Sequence, residues 1–192
     1  MGILVIMGKS GVGKDTVCNH LVEDFGMKRI VTYTTRPMRE GEVDGVSYHF
    51  LTQKEFDKRR NEGFFAETRD YHAIYGDCSY GTSVESLKVE GEYLAIITPE
   101  GYFSYKEQGI DNLVPVYLTL DESLLRARLF NRANKEQDLK KKADLMKEVD
   151  RRLEADAKDF ECLENAGIFE VDTDDTPKAI AELIYKYYKL AR

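Results

Sequence analysis

Five apolar residues, Ile3-Leu4-Val5-Ile6-Met7, lead directly into Gly8-Lys9-Ser10-Gly11-Val12-Gly13-Lys14-Asp15-Thr16. An unbroken apolar run of this length reads as a strand buried on both faces, as in a parallel sheet. The spacing after it is G-x-x-x-x-G-K. Glycines at those places let the backbone wrap closely around an anion, with successive N–H groups pointing inward. Val17, Leu21, Val22 and Phe25 then recur at helical spacing, and Gly26 closes the helix. The helix N-terminus adds partial positive charge to the loop. Residues 8–16 are therefore expected to bind the phosphates of a nucleoside triphosphate, with Lys14 reaching the β- and γ-phosphates. A glycine-rich turn that binds nothing is the bland alternative, and the strand–loop–helix context weighs against it.

One position departs from the usual loop. Asp15 stands where a Ser or Thr hydroxyl normally meets Mg²⁺. A carboxylate is also a hard oxygen ligand, directly or through water, so Asp15 is the candidate metal ligand. It could instead cap the helix. Thr16 is the fallback hydroxyl.

Further along, residues 28–33 read as a short second strand. The pattern breaks over residues 34–83. Asp44-Gly45 is a hairpin-turn signal ahead of Ser47-Tyr48-His49-Phe50. Thr52-Gln53-Lys54-Glu55 has capping-box spacing, Gly63 ends that helix, and residues 64–67 are extended. Residues 83–89 are expected to be helical, and residues 93–98 and 113–120 to be strands. Asp121 can cap a long basic helix, residues 134–142 are highly charged, and residues 143–163 are helical. Residues 168–171 read as the last strand, and Thr176-Pro177 opens the last helix. Strands alternating with helices imply an α/β fold of P-loop NTPase type, a parallel sheet with helices on both faces. The expected plan is one domain. Residues 1–33 and 84–192 form its core, 34–83 a small β-rich acceptor-binding insertion, and about 128–150 a lid.

The segment Thr34-Thr35-Arg36-Pro37-Met38-Arg39, followed by Gly41-Glu42-Val43-Asp44-Gly45-Val46-Ser47-Tyr48-His49-Phe50, is highly specific. With the glycine-rich loop it resembles the guanylate kinases, whose loop G-x-S-G-x-G-K precedes T-T-R-x-x-R-x-G-E-x-x-G-x-x-Y-x-F. Glu67 after Gly63-Phe64-Phe65 resembles the family's glutamate, and Tyr80-Gly81-Thr82-Ser83 its Y-G-T. The close resemblance covers roughly the first 85 residues. It implies ATP and GMP as substrates, Mg²⁺ as cofactor, and acceptor-binding roles for Arg36, Arg39, Tyr48, Glu67, Tyr80 and Thr82. It also implies a supporting hydroxyl near Thr32 or Thr34.

The residues make chemical sense on their own. Two guanidinium forks three residues apart, Arg36 and Arg39, can converge on one phosphate. Tyr48 and Tyr80 can donate hydroxyls to the same anion. Glu67 is an acceptor-only carboxylate, and guanine offers N1–H and N2–H₂ side by side where adenine does not. The bland readings are a solvated charge pair for the arginines, a core aromatic for Tyr48 and a solvated strand residue for Glu67. Tyr75-Gly76 competes with Tyr80-Gly81 for the Y-G role. His49 and His72 read as structural or exposed.

Arg126, Arg128 and Arg132 lie on one expected helix, Arg128 and Arg132 on one face. Arg128-Leu129-Phe130-Asn131-Arg132 resembles the family's R-L-x-x-R at the lid, and Arg152-Leu153 its later R-L. Lys14, Arg128, Arg132 and Arg152 are the implied catalytic cations, clamping the transferring group. An ordinary basic helix face is the alternative. Where the family carries D-I-D-x-Q-G, this chain has Ile96-Ile97-Thr98-Pro99-Glu100-Gly101, without an aspartate. Glu100 or the Thr98 hydroxyl could replace part of that role.

The 192 residues carry a net charge of −7, which argues against a general nucleic-acid or anionic-membrane binder. Three scattered cysteines, Cys18, Cys78 and Cys162, read as reduced thiols of a cytoplasmic protein. The first apolar run is too short for a membrane span and lacks the flanks of a leader. A homodimer is allowed. Two other functions stay open, a kinase for another monophosphate or small phosphorylated metabolite, and a non-catalytic guanylate-kinase-like binding module.

Overall fold

A computed structural model describes residues 2–39, 41–73, 76–164 and 166–191. Strand β1 (Ile3–Gly8) is buried along its whole length and lies at the centre of a five-stranded sheet. The order is β2 (Lys28–Arg29), β7 (Tyr93–Ile96), β1, β8 (Leu113–Thr119), β9 (Phe169–Asp172), and every pairing is parallel. Alternate β1 side chains serve opposite faces. Leu4 and Ile6 pack with Val17 and Leu21 of α1 (Lys14–Glu23) and with Ile180 and Ile184 of α6 (Pro177–Leu190). Ile3, Val5 and Met7 pack with Tyr102 and Tyr105 of α3 (Pro99–Glu107) and with Phe160 at the end of α5 (Leu139–Phe160). Helices on both faces of a parallel sheet satisfy the sequence expectation.

The second sheet has the order β4 (His49–Phe50), β3 (Tyr33–Thr34), β6 (Gly76–Ser83), β5 (Phe65–Ala73). Only residues within 34–83, with Tyr33, build it. Helix α2 (Gln53–Asn61) packs on it through the fully buried Phe56, which stacks on Phe65 at 4.5 Å. Its N-terminus carries the expected capping box, Thr52 with Glu55. Helix α4 (Glu122–Asn134), capped by Asp121, lies against α5.

Four local expectations change. Residues 28–33 are not one strand. Lys28-Arg29 pair with Tyr93-Leu94 in the first sheet, whereas Tyr33-Thr34 cross into the second. Asp44-Gly45 does not close a hairpin, because β4 runs parallel to β3 and a tight turn cannot join parallel neighbours. Residues 83–89 hold a single 3₁₀ turn, Glu85–Leu87. The charged stretch 134–142 is half helix, since Asp138 caps α5 by accepting from the N–H groups of Lys140 and Lys141 at 2.9 and 3.0 Å. Helix α3 went unread although Thr98-Pro99 is a cap followed by a first-turn proline. Among the described residues no helix is long and apolar enough to cross a membrane.

Candidate functional site

The loop from β1 to α1 turns where a side chain cannot follow. A Cβ on Gly8 would meet Val12 Cγ1 at 2.8 Å and the Leu118 carbonyl at 3.0 Å. Gly13 caps α1 at φ 104°, in the left-handed region, and no side chain caps the helix. The first-turn N–H groups of Lys14, Asp15 and Thr16 are thus left for an anion. Lys14 Nζ donates to the carbonyls of Gly8 and Lys9 at 2.6 and 3.0 Å. Burial lowers the Lys14 ammonium below its ordinary 10.5, against the charges of Asp156 and Asp15. Arg128 of α4 donates to the Val12 carbonyl at 3.2 Å and so sits on the loop. A cavity of about 350 Å³ opens beside the loop, lined by Gly11, Gly13, Thr16, Arg128, Thr173 and Pro177. The turn that supplies Thr173 and Pro177 was legible as a strand end and a helix start, but nothing in the sequence assigned it to the site.

Asp15 is 80 % exposed and accepts from Arg29 at 2.9 Å. It makes no cap, which sets aside that alternative. Among the described residues no three of His, Cys, Asp and Glu gather as a metal cage. An exposed carboxylate beside the loop does suit Mg²⁺, which keeps most of its waters and binds chiefly through substrate phosphates and one or two carboxylates.

Across the cleft, the two arginines differ. The Arg36 fork is taken by Glu42, Nη1 to Oε2 at 2.9 Å and Nη2 to Oε1 at 2.7 Å. Its Nε donates to the Tyr80 hydroxyl at 3.3 Å, and its plane lies over the rings of Tyr48 and Phe50 at 5.3 and 5.7 Å. Glu42 Oε2 also accepts the Arg39 N–H at 2.7 Å. The Arg36 bond first, with lesser help from Arg39, draws the Glu42 carboxyl down to about 2. Arg39 is the uncommitted one: no protein group hydrogen-bonds its side chain among the described residues. Burial, then the neighbouring charges of Arg36 and Arg132, lower it from its ordinary 12.5. Arg39 thus feels the charges of its neighbour Arg36 and of Arg132 on α4. Arg36 and Arg39 do not converge as equal forks, because Glu42 fixes one of them.

Thr34 is fully buried and accepts the Arg36 N–H at 3.1 Å, which shapes the arginine turn. Tyr48 and Tyr80 meet edge to face at 5.9 Å, and burial raises the Tyr48 phenol. The charges of Asp15 and Arg29 also act on that phenol. His49 stacks on Tyr33 at 4.6 Å, a structural place as expected. Tyr75 lies outside the described residues, and so does the side chain of His72.

Glu67 is half-buried where β5 meets the start of α3, its Cγ 3.5 Å from a Cβ built on Gly101. Thr82, fully buried, donates to Glu67 Oε1 at 2.8 Å. Burial pushes the Glu67 carboxyl above its ordinary 4.5, against that hydrogen bond. The buried hydroxyl of Tyr105 borders the same carboxylate. The solvated-strand reading of Glu67 therefore falls. Thr98 Oγ1 accepts the Gly101 N–H at 3.2 Å, its cap role, while Glu100 is 77 % exposed and pairs with Arg69 at 3.3 Å. Glu100 thus points to an outer ion pair and does not replace a buried aspartate.

Helices α4 and α5 are tied by Arg126 and Asp150 at 2.6 Å. Arg152 donates from Nε to Glu148 at 2.9 Å, and Arg151 grips the same carboxylate at 2.6 and 2.8 Å. Arg128, Arg132 and Arg152 thus reach three different neighbourhoods: the loop, Arg39 and the buried Glu148.

The family model described as guanylate kinase matches residues 1–93. A guanylate kinase of Symbiobacterium thermophilum is 32 % identical over 186 residues, covering 94 % of this chain and 82 % of the relative. One of Clostridium perfringens is 38 % identical over 137 residues, 69 % of this chain and 62 % of the relative. One of Sulfurimonas denitrificans is 44 % identical over 87 residues, 45 % of this chain. The match spans only 40 % of that last relative's length. A crystal structure of guanylate kinase from Anaplasma phagocytophilum superposes with a TM-score of 0.70 at 22 % identity, covering 99 % of this chain and 85 % of that one. At that identity the likeness speaks for the fold.

Proposed function

Since the chain belongs to the guanylate kinase family, we propose that it transfers the γ-phosphoryl group of ATP to GMP, giving ADP and GDP. The observation that carries this reading is the Arg39 side chain, without a hydrogen-bond partner among the described residues and within reach of the charges of Arg36 and Arg132. An anion bound there offsets the repulsion between like charges. In this reading one cation comes from the acceptor segment's free arm, one from its Glu42-braced arm and one from the lid helix. A phosphate oxygen of the acceptor monophosphate and the γ-phosphate of the donor meet there.

Residues 8–16 hold the donor phosphates, and the cavity beside them takes the donor's base and sugar. Lys14 leaves the Gly8 and Lys9 carbonyls to meet the β- and γ-phosphates. Arg36, Arg39, Tyr48 and Tyr80 hold the acceptor phosphate, with Thr34 shaping their turn. Glu67, steadied by Thr82, accepts from guanine N1–H and N2–H₂. Segment 34–83 is then the acceptor-binding part and residues 128–150 the lid, with Arg128, Arg132 and Arg152 closing on the transferring group. The new P–O bond forms to an acceptor phosphate oxygen as the bond to the β–γ bridging oxygen breaks. That nucleophile is already largely anionic, since the second phosphate pKa is about 6. No general base is required, only alignment, charge neutralisation and exclusion of water. Asp15 would hold Mg²⁺ together with the phosphates and water, once freed from Arg29; bound Mg²⁺ supplies further charge neutralisation. Free thiols at Cys18, Cys78 and Cys162 suit a cytoplasmic enzyme, and the net charge of −7 suits action on free nucleotides rather than on polymers.

A second reading keeps the reaction and changes the acceptor. It is favoured by Thr98, whose oxygen is committed to the Gly101 N–H where the family carries an aspartate. ADP release measured with GMP, dGMP, AMP, UMP and CMP decides between the two. Selective turnover of guanine nucleotides is expected, and equal turnover of the panel would sink GMP as the acceptor. The intact phosphate loop disfavours a module without catalysis.

A further inference from the structure

The phosphate loop already contains an anion of the protein's own. Asp156, on α5, accepts the Ser10 N–H through Oδ2 at 2.5 Å, across 146 residues of chain. Among the acidic groups acting on the Lys14 ammonium, Asp156 acts most strongly, ahead of Asp15. The phenols of Tyr71 and Tyr117 feel the same carboxylate. Loop N–H groups and the loop lysine are the donors that bind a triphosphate. A half-buried carboxylate therefore stands among the groups meant for the donor. Asp156 shares its helix face with Arg152 and Asp159, four residues before it and three after. Asp159 pairs with Arg69 of β5, so this one face touches both the loop and the second sheet.

We propose that Asp156 is an internal competitor for the phosphate loop. Without nucleotide its carboxylate occupies the Ser10 N–H and offsets part of the Lys14 charge. The polyphosphate chain of the donor displaces it, because a carboxylate and a phosphate crowded into one cradle repel. Donor binding is thereby coupled to the position of α5, the helix that carries Arg152 and the link to the second sheet. This rests on residues 8–16 being the donor-phosphate site.

The full chain is titrated calorimetrically with metal-free ADP, with tripolyphosphate and with GMP, as wild type, Asp156→Asn and Asp156→Ala. Both variants are expected to bind ADP and tripolyphosphate about tenfold tighter, the scale of one charge-assisted hydrogen bond. GMP affinity is expected to stay at the wild-type value. The Ser10 amide resonance of the ligand-free protein is expected to move in both variants. The two replacements differ in size, so loss of fold in one leaves the other to decide. Affinity for ADP and tripolyphosphate that is unchanged or weaker overturns the competition. An equal gain for GMP, the mark of a general charge effect, overturns it too. A wild type that binds neither ADP nor tripolyphosphate overturns the donor-site reading instead.

Discussion

Glu67→Gln should separate stability from recognition. Thr82 Oγ1 donates to Glu67 Oε1 at 2.8 Å, and the amide carbonyl of glutamine can keep that bond. What the substitution removes is a charge that burial already disfavours, since the carboxyl sits above its ordinary 4.5. The folded protein is therefore expected to gain on the order of 1 kcal/mol, a modest part of the cost of a poorly compensated buried charge. For guanine the sign reverses. One carboxylate oxygen becomes an NH₂ group that faces another donor. Each hydrogen bond to a charged group contributes about 1.5–3 kcal/mol, so losing the paired acceptor costs about 3–5 kcal/mol. That corresponds to a fall of roughly 10²–10³-fold or more in kcat/KM for GMP. Urea unfolding of the ligand-free protein reads the first effect, and coupled ADP release reads the second. ATP affinity should not change. A variant with wild-type kcat/KM for GMP, or one that unfolds at lower urea, would refute the reasoning about this pocket.

Arg39→Ala is expected to raise the KM for GMP by about 10²-fold, the worth of a charge-assisted contact to phosphate. Its stability should hold, because no hydrogen bond of this side chain among the described residues is lost; lower stability with unchanged KM would contradict the role of Arg39. Glu42 is a pH test of the Arg36 brace. Its folded-state carboxyl lies at about 2 against an ordinary 4.5, so its contribution to stability is full above 4.5 and fades as pH falls towards about 2. The stability difference between wild type and Glu42→Gln, measured by denaturant titration, should shrink across that window, and a difference constant with pH would count against the pair.

Much of this was legible in the chain because it is local. Ile3 to Met7 are buried whatever packs on them, and the glycines of the loop are dictated by a backbone path, so strand, loop and helix follow from adjacent residues. Thr52 and Glu55 cap their own helix for the same reason. What escaped depends on partners far away in sequence. Lys28-Arg29 and Tyr33-Thr34 belong to different sheets because of residues near 94 and 80, and two-residue strands carry no periodicity. The turn chemistry of Asp44-Gly45 is real, but the partner of β4 is β3 running the same way. Asp138 and Thr98-Pro99 did carry start signals for α5 and α3, but the first lies in a charged stretch and the second heads a short helix with little periodicity. Glu42 and Asp156 are ordinary surface acids in sequence; only the folded chain puts one on the Arg36 fork and the other on the Ser10 N–H.

Transfer from ATP to a guanine monophosphate can be watched directly. Phosphorus NMR of the protein with ATP, GMP and Mg²⁺ follows donor, acceptor and products together. The GMP and ATP γ-phosphate resonances should fall in step as nucleoside diphosphate resonances grow, with inorganic phosphate negligible. Unchanged ATP and GMP, or ADP accompanied by inorganic phosphate in place of GDP, would contradict it.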